Sequence, residues 1–113
     1  MKVVAVVRDL MLFSRIEAAA RQAGAELSRV DSPQQLPPPA QADVVLVDWN
    51  ERAAGWEDAL RTWRSSAPGT RLVLFGPHTD LQAHADAKRH GLGPMWARSR
   101  LVRELPALVR GPA

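Results

Sequence analysis

The chain contains no cysteine, and that absence excludes a disulfide framework, thiol catalysis and thiolate metal sites together. No apolar run comes near the roughly 18 residues that a membrane span needs. The apolar start, Val3 to Val7, is too short for a signal peptide and runs directly into Arg8-Asp9. These absences lead to the expectation of a soluble, cytoplasmic protein. Catalytic signatures are also missing: no glycine-rich phosphate loop, no nucleophile elbow and no acid/base pair recognisable from spacing. The sequence does not read as an enzyme. His78 belongs to a loop and could touch an anion, whereas His84 and His90 read as residues on the exposed side or end of a helix. Those two lack the three- or four-residue separation that sets a pair of metal ligands on one helical face.

Charge of one sign is only mildly in excess, at +3, with thirteen arginines against two lysines. The positive residues Lys88, Arg89, Arg98, Arg100, Arg103 and Arg110 face Glu104 alone in the C-terminal part of the chain. A basic face gains free energy by displacing counterions from phosphates. No recognition helix or base-stacking aromatic pattern accompanies it, so nucleic acid is not the expected partner. A solvated helix surface or a protein-docking face accounts for the same charges.

What the chain does contain is a regular alternation of apolar runs and amphipathic stretches, in a length of 113 residues that suits one domain over 1–113. Val44 to Val47 has no polar alternation and reads as a strand buried on both faces, ending at Asp48. In open α/β sheets that carboxyl edge is where ligands bind, so Asp48 is either a functional group or a cap for the next turn. Val3 to Val7 is a similar run, followed by Leu12, Phe13, Ile16, Ala19, Ala20 and Ala23 at helical spacing and by Gly24 as a stop. Asp9 before this helix is either its N-cap or a metal ligand.

Glu26 to Val30 is a less apolar strand that belongs near an edge, and the prolines from Pro33 to Pro39 allow only a turn or a stub of helix. Trp56, Ala59, Leu60 and Trp63 make one apolar stripe, with Glu57 and Asp58 in the first turn where the helix dipole favours negative charge. Arg71 to Phe75 is a third buried strand ending at Gly76-Pro77-His78. Thr79 and Gln82 have capping-box spacing for the next helix. Met95 to Ala97 forms a short last strand, and a final helix turns Leu101, Leu105, Leu108 and Val109 inward with a bend or interruption at Pro106. Strands alternating with helices imply a parallel sheet covered on both faces.

Five strands, an aspartate ending the third and the segment Leu46-Val47-Asp48-Trp49-Asn50 resemble the receiver domain of bacterial response regulators, the CheY-like, flavodoxin-like fold. The resemblance spans nearly the whole chain, with the second helix shortened or replaced by the proline-rich loop. It implies that Asp48 stands at the phospho-acceptor position and that Asn50 supplies a backbone carbonyl to magnesium. Asp9 matches one of the paired metal-binding acids, so Asp9 and Asp48 would hold any Mg²⁺. Arg98 stands where the family has a lysine that contacts the phosphoryl group. Other positions depart from the pattern: Arg8 replaces the second acid, Gly76 replaces a Ser or Thr hydroxyl, and Ser99 replaces a proline. Met95 occupies the aromatic switch position, with Trp96 beside it.

Those departures bear on chemistry. Phosphoryl transfer to an aspartate needs a divalent ion held by hard oxygen ligands. A guanidinium offers no lone pair and repels the ion: two unit charges about 4 Å apart interact by roughly 4 kcal/mol at an effective dielectric near 20. Arg8 is expected to pair with Asp48 or Asp9 and to lower that carboxylate's pKa. Gly76 has no side chain to follow a phosphoryl group inward. The sequence therefore reads as a stand-alone pseudo-receiver, without a resident cofactor, that acts in signal transduction through protein contacts. Its partner would be a kinase, a transcription factor or a second copy, the last through the final two helices and the strand between them. Two alternatives stay open: a phosphorylation-competent receiver in a two-component phosphorelay, and a binder of a small anion held by Arg8, Arg98 and the Gly76 loop.

Overall fold

Valine and leucine crowd the strands that end at the polar edge, and the reason is burial on two sides. The computed structural model describes residues 1–111. Strands β1 (Lys2–Val6), β2 (Glu26–Val30), β3 (Val44–Asp48), β4 (Arg71–Gly76) and β5 (Trp96–Ala97) form one parallel sheet in the order β2-β1-β3-β4-β5. Helices α1 (Leu10–Ala23), α2 (Trp56–Ser65), α3 (Leu81–Arg89) and α4 (Arg98–Arg110) alternate with the strands. Successive side chains of a strand point to opposite faces, so the central strands feed two cores. Val3, Ala5, Leu46 and Phe75 pack with Ile16 of α1 and Leu101 of α4. Val4, Val47 and Leu74 pack on the other face with Trp56 and Leu60 of α2 and Ala87 of α3. This doubly wound arrangement is the expected fold class, with β2 at one edge.

Local chemistry sets the ends of the helices. Asp9 caps α1, its Oδ1 accepting from the backbone N–H groups of Met11 (3.0 Å) and Leu12 (3.1 Å), and Gly24 closes the helix at φ 71°, a left-handed conformation that glycine adopts without strain. Between β2 and β3 the prolines leave only two short 3₁₀ turns, Pro33–Gln35 and Pro39–Gln41. Trp63 ties this segment to α2 by donating its indole N–H to the Pro37 carbonyl at 2.8 Å. Among the described residues no helix is long and apolar enough to cross a membrane.

Four local expectations are corrected. Asp80, not Thr79, caps α3, because its carboxylate accepts from the Ala83 N–H at 3.0 Å. Helix α4 runs unbroken through Pro106, held by its buried stripe Leu101, Leu105, Leu108 and Val109. Ala23 is exposed in the last turn of α1 rather than inward. Met95 lies before β5, whose ladder contains only Trp96 and Ala97.

Candidate functional site at the carboxyl edge of the sheet

Asp48 closes β3 and is buried, at 3 % exposure. Its Oδ1 accepts from the Asn50 backbone N–H at 3.2 Å, which makes it also the cap of the turn Trp49–Glu51. Burial pushes the Asp48 carboxyl up to about 6. Arg98 and the Asn50 N–H pull against that rise, while Glu51 and Asp9 add to it by like-charge repulsion. The expected lowering of this carboxylate does not occur, because the nearby positive charge does not outweigh desolvation.

The expected role of Arg8 passes to Arg98. Val7 takes the inward position after β1 and Arg8 faces solvent, where among the described residues it joins no ion pair. Arg98, the first residue of α4, reaches back from the end of β5 and donates its Nη2–H to Oδ2 of Asp9. The Leu12 N–H and the Arg98 guanidinium hold Asp9 below the usual carboxylate range. Both Asp9 oxygens are thereby used, one by the helix cap and one by Arg98.

The neighbouring slot is filled by a thioether. A Cβ added to Gly76 would lie 3.2 Å from Met95 Sδ, 3.3 Å from its Cε and 3.6 Å from the Asn50 nitrogen. Met95 thus occupies the space in which a side chain at position 76 would have to sit. Trp96 is held from two sides of the sequence, with the guanidinium carbon of Arg100 4.0 Å and that of Arg71 5.7 Å from its ring centroid. Asn50 and His78 are exposed, and His84 is half-buried. Beside the Asp9–Arg98 pair a cavity of about 520 Å³ opens between α1 and α4, bordered by Met11, Arg15, Ser99 and Val102.

The structure brings Asp9, Asp48 and Arg98 together and packs Gly76 against Met95, but leaves Arg8 outside. This donor set does not fit Mg²⁺, which demands near-octahedral oxygen ligands. Asp9 has no uncommitted oxygen, Asp48 gives one to Asn50, and among the described residues no three His, Cys, Asp or Glu side chains cluster as metal ligands. Of the residues expected to hold a small anion, Arg98 is paired with Asp9, Arg8 is in solvent and Met95 lies against Gly76.

Sequence reasoning missed a second polar cluster beside this edge. Asp86 of α3 is buried and accepts from Arg52 (2.9 Å), Gln82 (3.0 Å) and Arg89 (2.7 Å). The Arg52 hydrogen bond is the first cause of its lowered pKa. Gln82, Asp86 and Arg89 stand at helical i, i+4 and i+3 spacing, which was a readable signal. The contact with Arg52, thirty-four residues away, was not.

Neither a family model nor a curated protein matches the sequence. Solved structures do share its fold. A response regulator receiver domain protein from Clostridium thermocellum superposes with a TM-score of 0.71 at 18 % identity, covering 96 % of this chain and 90 % of that one. A response regulator protein from Burkholderia multivorans, solved in solution, gives a TM-score of 0.71 at 20 % identity, covering 99 % of this chain and 96 % of that one. The chain has the CheY-like receiver fold.

Proposed function

We propose that this domain is an atypical, pseudo-receiver module of signal transduction, working in the cytoplasm through protein contacts rather than by catalysis or by Mg²⁺-dependent phosphorylation of Asp48. The observation that carries the reading is the commitment of Asp9 to Arg98 and to the α1 cap. A cation entering this pocket would have to displace a charge-assisted hydrogen bond and then face the guanidinium it released. The filled slot at Gly76 supports the same reading, because the side chain that would carry a phosphorylation signal inward is missing and its space is taken. The partner is a kinase, a transcription factor or a second copy, met on the face formed by α3, β5 and α4.

The competing reading, a phosphorylation-competent receiver, draws on the position of Asp48 at the end of β3 and on its Oδ2, which accepts no hydrogen bond among the described residues. Incubation with Mg²⁺ and acetyl phosphate, followed by intact mass, separates the two. An unchanged mass is expected. A gain of one phosphoryl group, lost in Asp48→Asn, would establish the competing reading.

A further inference from the structure

Asp48 is followed at once by a segment that is fastened to a single helix. Trp49 is fully buried and donates its indole N–H to the Ala83 carbonyl of α3 at 3.0 Å. Arg52 donates one Nη–H to the Trp49 carbonyl at 3.1 Å and the other to Asp86 of α3 at 2.9 Å, and its guanidinium carbon lies 5.4 Å from the Trp49 ring centroid. Asp86 is held in turn by Gln82 and Arg89 of its own helix. On the near side, the Asp48 carboxylate fixes the same turn through the Asn50 N–H.

We propose that Trp49, Arg52 and Asp86 form a mechanical coupling between Asp48 and α3, so that a change at Asp48 reaches the surface of α3 through this clamp. The planar fork of Arg52 serves two acceptors on two elements at once, which a flexible ammonium cannot reproduce. A buried acid with several donors resists partial separation, so the turn and the helix move together or not at all. The route bypasses Gly76, where no side chain is available to move. It does not rest on the phosphorylation-silent reading, because it concerns the response of α3 to any change at Asp48.

Amide hydrogen exchange and ¹⁵N shifts of the 113-residue chain, with no phosphoryl donor present, test it. Asp48→Asn is expected to alter protection at Ala83 to Asp86 by about tenfold, equivalent to roughly 1.4 kcal/mol of local opening, while the last turn of α1 is unmoved. In an Arg52→Gln background, where only the Trp49–Ala83 hydrogen bond still joins the turn to the helix, the same substitution should change α3 severalfold less. Arg52→Lys, which keeps the charge and loses the fork, should give a reduced response and serves if Arg52→Gln does not fold. An α3 indifferent to Asp48→Asn, or one that responds equally in all three backgrounds, overturns the coupling.

Discussion

Asp48 illustrates how one residue can be costly to the fold that contains it. Its carboxyl titrates near 6 in the folded chain against an ordinary 3.8, so between those values the native state binds more protons than the unfolded state and stability falls as pH rises. The contribution is fully present below 3.8 and lost above about 6. Asp48→Asn should therefore stabilise the domain above pH 6 by roughly 1–2 kcal/mol. The gain should vanish in melting curves taken below 3.8. Asp9 and Asp86 behave oppositely: their pKa values are lowered, so their contribution holds above 3.8 and disappears as pH falls through their folded values. Gly76 makes a second test at this scale. Its φ is not in the left-handed region, so only space opposes a side chain there, and Met95 occupies that space. Gly76→Thr should cost about 1–3 kcal/mol by overpacking, and Met95→Ala in the same chain should return part of it in chemical denaturation.

At the scale of elements, α4 crosses Pro106 without a break, although an interior proline lacks the N–H that the carbonyl four residues earlier would accept. Burial of Leu105 and Leu108 on either side outweighs that loss. Pro106→Ala should raise stability by about 1–2 kcal/mol, the regained helical bond offset partly by a freer unfolded chain, and thermal melting checks the sign. The elements were legible where burial writes a pattern: β1 and β3 read as continuous apolar runs because helices cover both faces of the sheet, and α4 read from its stripe. They were less legible where a few atoms decide. Thr79 and Asp80 are adjacent candidate caps, and only the conformation entering α3 selects Asp80.

For the whole molecule, the fold and the chemistry of its edge were unequally readable. Hydrophobic period and turn residues specify a doubly wound sheet, and many sequences satisfy them. The ion pair that engages Asp9 joins residues 89 positions apart, and adjacency in sequence pointed instead to Arg8, which the inward turn of Val7 leaves in solvent. The clamp from Arg52 to Asp86 was hidden for the same reason. The central claim is that Arg98, rather than a divalent ion, is the positive partner of Asp9 in this pocket. Titration calorimetry with Mg²⁺ and with Mn²⁺ tests it most directly, on the native chain and on Asp48→Asn. The account predicts no saturable heat from either protein; one-site binding by the native chain that disappears in Asp48→Asn would contradict it.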